Sequence, residues 1–594
     1  MRIILPILLM LVMLGVPSIA QPGAGKLDAE LQHSTSNAAV DVIVQYRLQP
    51  TESHHNRVLR HGGQFRRNLD IIRGVHYSIP ASQLESLSQD PDIAFISPDR
   101  PVFATGNSVY TGNPDYGWKS VGADLASSVF GLDGSNVGIA LIDSGVDPLS
   151  DLQSTSGPSR VVYKDSLIPG LPAGDSYGHG NHVSGILAGN GSMSSDPTST
   201  YLVRGIAPNA NLISFRVLDN NGAGTDSSVI AAIQEAIWLK RTYNIRVMNL
   251  SLGRPVTTSY QFDPLCQAVQ QAWQAGIVVV VAAGNNGRNN SLGTNGYGTI
   301  TAPGNSPYVI TVGAMNTVGT LTTADDKIAS YSSKGPTTID HIAKPDLVAP
   351  GNRVLSASQG TSWYEKTYPG NGVAMSVYTT NNTNASPNYY VMSGTSFAAP
   401  MVSGAAALMI QKDPSLTPDQ VKARLMKTAT KFAPGFSTAT DPITGVSYTS
   451  EYDIFTIGAG YLNIPGALSN NDSLSGTALS PTAFFNTASG SVYLGLSGTA
   501  AVWGSAAVWG SAAVWGSGAV WGTAAVWGSS AFVNSTAAVW GSAAVWGSGA
   551  VWGTAAVWGS GTPQAFAAVW GSCAVWGTGQ TGGEALTIAI NGDN

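Results

Sequence analysis

The stretch that decides the fold reads Tyr390-Val391-Met392-Ser393-Gly394-Thr395-Ser396-Phe397-Ala398-Ala399-Pro400, followed by Met401-Val402-Ser403-Gly404-Ala405-Ala406-Ala407-Leu408-Met409-Ile410. Its second half is almost entirely small and apolar. This predicts a helix buried on all sides, because a surface helix carries a polar stripe at the helical period. Gly394 and Thr395 allow a tight turn, so Ser396 lies in the first helical turn, where free N–H groups favour a developing oxyanion. Ser396 is therefore a candidate nucleophile, and the alternative is that it only helps to cap the helix.

The composition predicts a large, weakly charged protein. The chain has 594 residues, and its length suggests about three or four folding units. Only 11% of the residues are charged, against roughly 25% in an average soluble protein. The net charge of −6 comes without a clustered basic face, so we expect no nucleic acid as a partner.

The amino-terminal residues predict a secretory signal peptide at residues 1–20. Arg2 is followed by an apolar run from Ile3 to Val16 and by small residues suited to cleavage after Ala20. The run is too short for a bilayer, so a transmembrane anchor is the weaker alternative, and no other stretch is long enough to span one. We expect a secreted protein, extracellular or at the cell surface. There, two cysteines could pair, although the sequence does not show that they do: Cys266 and Cys573.

Residues 39–104 alternate short apolar runs with helical patterns. Strands are predicted at residues 41–46, 75–79 and 93–97, and helices at residues 57–72 and 81–88. The pattern predicts a small α+β domain with two helices on one face of the sheet.

From about residue 110 to residue 468, strand, turn and helix patterns alternate. Nearly continuous apolar runs are typical of strands buried on both faces, and they occur at residues 136–142, 211–217, 246–250 and 276–281. Helical segments at residues 227–243 and 263–275 separate them. The prediction is a doubly wound, mostly parallel α/β domain whose functional groups gather at the carboxyl ends of the strands.

Two polar segments of this domain carry candidate catalytic groups. Asp143 follows a buried strand, where a carboxylate is costly unless it is hydrogen-bonded. His179 and His182 lie in a glycine-containing segment, and beyond residue 100 the remaining histidine is His341, in a polar loop. Because a general base near neutral pH is most often histidine, the base is one of the first two. Either of them, taken alone, could equally be a core histidine.

Three motifs together resemble the signature segments of the subtilisin-like serine proteases: Asp143-Ser144-Gly145, His179-Gly180-Asn181-His182-Val183 and Gly394-Thr395-Ser396-Phe397-Ala398-Ala399-Pro400. The chain order Asp, His, Ser also matches the family. The resemblance covers about residues 107–470. It implies that Ser396 is the nucleophile, that His179 is the general base and then acid, and that Asp143 orients the imidazole.

The resemblance assigns further residues of the site. Ala282-Ala283-Gly284-Asn285 resembles the oxyanion segment, which implies that Asn285 and the N–H of Ser396 stabilise the tetrahedral intermediate; the alternative for Asn285 is a simple turn. An extended substrate would pair with segments that include the substrate-binding residues Gly222, Ser251, Leu252, Gly253, Ala283 and Gly284. Thr301 falls where the family usually has the glycine at the floor of its main specificity pocket.

Departures from the family pattern lie close to the site. Asn181 replaces a threonine, Ser184 an alanine and Phe397 a methionine, and none of these changes removes a catalytic group. The implied chemistry requires no cofactor. Asp151 resembles a position where many relatives have a calcium ligand, but the partner loop is not recognisable, so calcium remains an option without further support.

Residues 39–104 resemble the family's inhibitory pro-domain, whose last strand stays in the active-site cleft. For the whole chain we predict a secreted serine endopeptidase that hydrolyses polypeptides through an acyl-enzyme and is made as a self-processing zymogen inhibited by its own pro-domain. The alternatives are a surface or matrix repeat protein whose protease module acts mainly on itself, and an inactive protease fold used for binding. An unrelated binding module is the alternative for residues 39–104.

The tail carries a repeat. Ala-Val-Trp-Gly occurs eleven times within residues 501–577 and accounts for eleven of the 15 tryptophans. Short stacked strands in a solenoid or small sheet array are one prediction, and a flexible low-complexity tail is the equal alternative. We expect the exposed indoles to drive self-association or attachment to a surface. Residues 471–500 are predicted as a linker, so we expect the protease core to end before the tail.

Overall fold

The computed structural model describes residues 26–31, 36–104, 117–154, 157–291, 293–380, 384–432, 435–472, 476–486 and 491–495, together with residues 588, 590, 592 and 593. The predicted signal peptide and the Ala-Val-Trp-Gly repeats lie outside these residues. Two units are present, the N-terminal unit (residues 26–104) and the α/β unit (residue 117 onwards).

The N-terminal unit is a four-stranded antiparallel sheet in the order β2-β3-β1-β4, with two short helices and a fifth strand that leaves it. Its elements are β1 (Ala39–Tyr46), α1 (Glu52–Arg60), β2 (Gln64–Leu69), β3 (Gly74–Pro80), α2 (Leu84–Ser88), β4 (Ile93–Pro98) and β5 (Pro101–Ala104). It has a hydrophobic core of its own, in which Val42, Val44 and Ile96 are fully buried.

The helix predicted at residues 57–72 is wrong in its second half. Helix α1 ends at Arg60, and Gly62 then takes a φ of +76°. A Cβ at Gly63 would lie 2.5 Å from the side chain of Val58, so only glycine allows the chain to fold back so closely. The following residues form β2 because they pair with the next strand, β3, and this pairing outweighs their helical spacing.

The α/β unit is built around a mostly parallel sheet. Its helices are α3 (Gly117–Ser120), α4 (Ala123–Ser128), α5 (His179–Ala188), α6 (Asp226–Tyr243), α7 (Pro264–Gln274), α8 (Trp363–Thr367), α9 (Thr395–Lys412), α10 (Pro418–Thr428) and α11 (Ile464–Ser469). Its strands are β6 (Gly138–Asp143), β7 (Val161–Ser166), β8 (Asn211–Arg216), β9 (Ala223–Thr225), β10 (Ile245–Leu250), β11 (Leu252–Gly253), β12 (Val278–Ala282), β13 (Ile310–Asn316), β14 (Lys327–Ile328), β15 (Leu347–Pro350), β16 (Val354–Ala357), β17 (Gly372–Ala374), β18 (Ala385–Met392), β19 (Phe436–Thr440), β20 (Ser447–Glu451), β21 (Thr482–Asn486) and β22 (Ser491–Gly495).

Within the part of the chain that the structure describes, the central sheet has eight strands. Seven follow the order β14-β13-β12-β10-β6-β8-β7, and β15 pairs with β13. The pairs are parallel except for β13 with the short edge strand β14. The four apolar runs became β6, β8, β10 and β12, so the predicted mostly parallel α/β fold is confirmed.

Helix α9 is buried over residues 395–410, as its composition predicts. It packs on strands β10, β12 and β13 and on helix α5. Small residues make this close packing feasible. At Gly404, an added Cβ would lie 2.5 Å from the Cβ of Ile206.

The core does not end before the tail, so that expectation is wrong. Ser480, inside the predicted linker, is buried, and its Oγ donates to Oδ1 of Asp346 (2.6 Å). Ile588 and Ile590 belong to the same hydrophobic core as α9. Sequence patterns missed them because the repeats separate these residues from the rest of the α/β unit.

Cys266 is buried as a free thiol that donates to Oδ1 of Asn305, and Cys573 lies outside the described residues. None of the helices that the structure describes combines the length and apolar character needed to cross a membrane.

The close packing of α9 at Gly404 leads to a prediction about thermal stability. Alanine is favoured over glycine inside a helix by about 1 kcal/mol, but overpacking a close contact typically costs about 1–3 kcal/mol. The contacted atom of Ile206 is its Cβ, which cannot rotate away. We expect Gly404→Ala to lower the Tm in thermal unfolding. Gly435→Ala is the control, because the nearest atom to its added Cβ lies 3.9 Å away. A Tm for Gly404→Ala equal to or above the wild-type value would contradict this packing.

Candidate active site

Asp143 ends strand β6 and is fully buried. Its Oδ1 accepts hydrogen bonds from Nδ1 of His179 and from the backbone N–H of Ser144, both at 2.7 Å. An ionised carboxylate can only accept, so Nδ1 of the histidine carries the proton of this hydrogen bond. Among the described residues, Nε2 of His179 has no hydrogen-bond partner. The contact with Asp143 therefore orients the ring through Nδ1 and leaves Nε2 outside this hydrogen bond.

His179 is the first residue of helix α5, not the end of a strand. Glycines on either side bring it to Asp143. Gly178 takes a φ of +105°, and a Cβ on Gly180 would lie only 2.1 Å from the carbonyl oxygen of Gly145. A larger residue at either position would push the start of the helix away from the loop after β6.

Asp175 is a buried member of the site that sequence reasoning missed. Its oxygens accept from the N–H groups of Gly178 and Asn181, both at 2.7 Å, and from Oγ of Ser144 (2.9 Å). Burial raises the pKa of Asp175 to about 7, and these donors oppose the rise. The carboxyl group thus accepts hydrogen bonds from N–H groups at the start of α5, and its contact with Ser144 links this turn to the loop of Asp143. An Asp just before a helix that begins with glycines was the available signal.

His182 has a different environment from His179. Its Nε2 donates to the carbonyl oxygens of Val354 and Tyr390, each at 3.1 Å, and the side chain is buried. Burial, with a smaller contribution from nearby His179, lowers the pKa of His182 to about 3, so the ring is neutral at physiological pH. Of the two histidines that the sequence left open, His179 is the one paired with Asp143.

Ser396 is the second residue of α9 and is fully buried. Its Oγ donates to the carbonyl oxygen of Ser251 (3.0 Å), and Oγ of Ser251 donates to the carbonyl oxygen of Ser396 (2.7 Å). The next residue, Phe397, packs its ring 5.3 Å from the ring of His179 and 4.6 Å from that of His182. The start of α9 therefore packs against the start of α5, with Phe397 between them.

Asn285 lies just beyond strand β12, in contact with the turn before Ser396. Its Oδ1 accepts from the N–H (3.0 Å) and from Oγ1 (2.9 Å) of Thr395. Oγ1 of Thr395 also accepts from the N–H of Gly284 (3.1 Å). Thr395, which sequence reasoning used only as a turn residue, holds the two loops together and orients the amide of Asn285.

Two of the predicted substrate-binding segments lie on either side of strand β5. This strand pairs antiparallel with β9, which follows Gly222, and with β11, which contains Leu252 and Gly253. Together they form a three-stranded sheet in the order β9-β5-β11. β5 is thus an extended backbone paired along both of its edges.

Thr301 lies between the segments that carry Gly253, Ala283 and Gly284. Its N–H donates to the carbonyl oxygen of Ala283 (3.0 Å). A Cβ on Gly253 would lie 2.6 Å from Oγ1 of Thr301, and one on Gly284 would lie 2.7 Å from its Cγ2. The threonine side chain thus fills the space between the two glycines.

Asn181, a departure from the family pattern, has a clear structural role. Its Nδ2 donates to Oδ2 of Asp147 (2.9 Å), and its Oδ1 accepts from the N–H of Asp147 (2.8 Å). This two-point contact holds the loop after Asp143 against α5.

The surroundings of Asp151 do not fit a calcium ion. Its Oδ1 accepts from Oγ of Ser192 and N–H of Met193, and its Oδ2 accepts from the hydroxyl of Tyr389. Calcium needs oxygen ligands rather than N–H and O–H donors aimed at the same carboxylate. No cluster of three or more His, Cys, Asp or Glu side chains suited to a metal occurs among the residues that the structure describes.

Comparison with known proteins agrees with this geometry. The sequence pattern of the subtilase family matches residues 134–447. Serine protease AprX of Bacillus subtilis (strain 168) is 38% identical over 309 residues, which span 50% of this chain and 62% of AprX. Subtilisin E of the same strain is 32% identical over 377 residues, which span 63% of this chain and 80% of subtilisin E. An extracellular serine proteinase of Thermus sp. (strain Rt41A) is 34% identical over 362 residues, 60% of this chain and 71% of the relative.

A solved structure shows the same fold. The crystal structure of fervidolysin from Fervidobacterium pennivorans, a keratinolytic enzyme related to subtilisin, superposes with a TM-score of 0.53 at 21% identity. The superposition covers 76% of this chain and 64% of fervidolysin. The central sheet, the motif order and the extent of the sequence match agree, and this chain belongs to the subtilase family of serine proteases.

Proposed function

We propose that the chain is a secreted endopeptidase that uses Ser396 as nucleophile, His179 as base and Asp143 as the group that orients and stabilises the imidazolium. The contact between His179 and Asp143, at 2.7 Å and buried, supports this assignment. Nε2 of His179 would take the proton of Ser396 Oγ as the hydroxyl attacks the scissile carbonyl, and would return it to the leaving amine.

The negative charge that develops on the scissile carbonyl oxygen is stabilised by hydrogen-bond donors that are already in place before the reaction. The N–H of Ser396, in the first turn of α9, and the amide of Asn285 are the proposed donors. Thr395 supports this proposal because it fixes Oδ1 of Asn285 and so determines where the amide nitrogen lies. Water would then hydrolyse the acyl-enzyme with the same base.

We further propose that the N-terminal unit is an inhibitory pro-domain. The observation that carries this proposal is the pairing of β5 with both β9 and β11, which is how an extended substrate would bind. In this register Ala104 lies opposite Leu252, and the neighbouring Ser251 accepts a hydrogen bond from Ser396 Oγ. The described end of β5, at Ala104, therefore lies beside the segment whose Ser251 binds Ser396.

Contacts outside the cleft also attach this unit to the α/β unit. Both carboxylate oxygens of Asp99 accept from Ser227 at the start of α6, one from its N–H (2.6 Å) and one from its Oγ (2.5 Å). The ring of Phe95 packs 5.8 Å from that of Phe262. A unit held in this way can remain bound after the connecting peptide is cut, which is what inhibition by a pro-domain requires.

The amino-terminal residues and one of the relatives support a location outside the cell. The signal-like residues 1–20 and the extracellular Thermus relative support secretion. Polypeptides are the proposed substrates, and the repeat region is proposed as a means of self-association or surface attachment. No cofactor is needed for the steps above.

Maturation tests the proposed nucleophile. We expect Ser396→Ala to accumulate as a precursor that retains residues 21 to about 105, because self-cleavage needs the hydroxyl. Ser403→Ala, in the same helix, is the matched control and should mature. Mass spectrometry of the purified chains gives the amino termini, and casein that has been denatured serves as an unrelated substrate.

The outcomes separate the candidate functions. A shortened form in pure Ser396→Ala protein would refute self-processing. Wild-type protein that matures and hydrolyses the denatured casein supports a general endopeptidase. Wild-type protein that matures but leaves casein intact would favour the alternative, a surface or matrix repeat protein whose protease module acts mainly on itself.

Thr301 makes a prediction about specificity. Its side chain occupies the space between Gly253 and Gly284, so a large residue before the scissile bond should fit poorly. We expect Thr301→Gly to raise kcat/KM for a substrate with Phe at that position, relative to Ala, by about 10-fold or more, in line with the energy of extra methylenes in a pocket. Thr322→Gly, at an exposed loop position, is the control. If the ratio of kcat/KM for the Phe substrate to that for the Ala substrate is unchanged in Thr301→Gly, Thr301 does not line the specificity pocket.

A further inference from the structure

Residues 588, 590, 592 and 593, which follow the repeats, lie inside the α/β unit. We call these four residues the C-terminal segment. Ile588 is fully buried, Ile590 is 7% exposed and Asp593 is fully buried. The repeats at residues 501–577 lie between β22 and this segment, so the chain is attached to the α/β unit on both sides of them.

Asp593 occupies a site built for a carboxylate. Its Oδ1 accepts from Nη2 of Arg288 (2.9 Å) and from Oγ of Ser330 (2.5 Å), and its Oδ2 accepts from the N–H of Ser330 (2.6 Å). Burial raises the pKa of Asp593, and Arg288 is the main group that opposes the rise. A carboxylate taken out of water needs such partners, because desolvation penalises its charged form.

The main chain of the C-terminal segment is also bound. Nδ2 of Asn352 donates to the carbonyl oxygen of Asp593 (3.1 Å), and Oδ1 of Asn352 accepts its N–H (2.9 Å). Nη2 of Arg288 donates to the carbonyl oxygen of Gly592 (3.0 Å). Contacts of this kind recognise the path of a peptide backbone as well as its side chains.

On one side, the segment packs on the loop that leads to Ser396. A Cβ on Gly592 would lie 2.4 Å from Oδ1 of Asn352 and 2.6 Å from Oγ of Ser393. The same Oγ of Ser393 accepts the N–H of Arg353 (2.8 Å), and the N–H of Gly394 donates to the carbonyl oxygen of Gly351 (2.7 Å). Gly592 therefore contacts both chain segments that determine where α9 begins.

On its other side, the segment reaches the loop of Asn285. Arg288, which binds Asp593, lies three residues after Asn285 in the same loop. The N–H of Gly287 donates to the carbonyl oxygen of Tyr331 (2.8 Å), the residue after Ser330. The hydroxyl of Tyr331 in turn donates to the carbonyl oxygen of Gly351 (2.9 Å). Asp593 thus contacts both the loop of Asn285 and, through Asn352, the loop of Ser396.

We propose that the C-terminal segment is a positioning element of the active site, and that Asp593 is a positioning residue that holds the loop of Asn285 against the loop of Ser396. The inference rests on the proposed function, which gives these loops their catalytic roles. The groove formed by Arg288, Ser330 and Asn352 is a binding site for an acidic peptide, which the chain supplies from its own end. Catalytic geometry then depends on residues beyond the entire repeat region.

The test uses the matured chain with its repeats and C-terminal segment intact. Asp593→Ala removes the carboxylate, and Asp593→Asn keeps an oxygen that can accept from Ser330 but removes the charge. Glu584→Gln, another acidic residue of the tail, is the matched control. Active sites are titrated with a fluorophosphonate, and kcat and KM are measured per titrated site on a small peptide substrate, together with the Tm.

We expect Asp593→Ala to lower kcat by about 10- to 100-fold with little change in KM, because a small misplacement of reacting groups has effects of this size. Asp593→Asn should lie between it and the wild type, and Glu584→Gln should match the wild type. A synthetic peptide of residues 587–594, added in excess to Asp593→Ala, should restore much of kcat. The same peptide with Ala at position 593 should not.

If Asp593→Ala lowers the Tm but leaves kcat per titrated site unchanged, the segment contributes only to the stability of the core, and the proposal is wrong. If Asp593→Ala fails to fold, Asp593→Asn takes its place: a lowered kcat per titrated site supports the proposal, and an unchanged kcat contradicts it.

If the wild type itself shows no activity, the proposed function fails, and hydrogen exchange decides this inference separately. In a Ser396→Ala chain, Asp593→Asn should then speed exchange of the amides at residues 393–396, and unchanged protection would refute the positioning role.

Discussion

The hydrogen bond from His179 to Asp143, buried from water, is the contact on which the arrangement of the site depends. A carboxylate at the end of an apolar strand is stable only if donors surround it. The N–H and Oγ of Ser144 and Nδ1 of His179 supply these donors, all to Oδ1. To bring them there, the loop after β6 must touch the start of α5. Asp175, buried beside them, accepts from both the loop and the helix and so fixes their distance.

The loop after β6 contacts the start of α5, and α9 contacts the chain at Ile206, so closely that small residues are required at these points. Gly180 lies against the carbonyl of Gly145, and Gly404 lets α9 contact Ile206. Helix α9 has no polar face because the central sheet covers one side and α5 packs nearby. Its first turn carries the hydroxyl and the backbone N–H of Ser396, to which the proposed function assigns attack and charge stabilisation. Preorganised groups of this kind stabilise charge without reorganising during the reaction.

Both parts of the chain that flank the α/β unit return to this site. The N-terminal unit supplies β5, which lies between β9 and β11 at the edge where a substrate backbone would pair. The C-terminal segment contacts Asn352, and its Gly592 lies close to Ser393. β5 thus occupies the proposed substrate path, whereas the C-terminal segment is proposed to position the loop of Ser396. Protein segments far apart in sequence thus meet within a few residues of Ser396.

The resemblance to the subtilisin-like family supplied the choice of His179 over His182 and the role of Asn285. Local pattern in the sequence determined the α/β fold, the buried helix and the candidates Asp143 and Ser396, because apolar runs and glycine-flanked polar residues are visible over short spans. It did not determine which partner each polar group would have. Asp175, Thr395 and Asp593 act through contacts with residues far along the chain. The helix expected at residues 57–72 gave way to β2 because pairing with β3 outweighed local spacing. Only the tertiary structure decided these points, since hydrogen bonds between distant segments leave no periodic trace in the sequence that forms them.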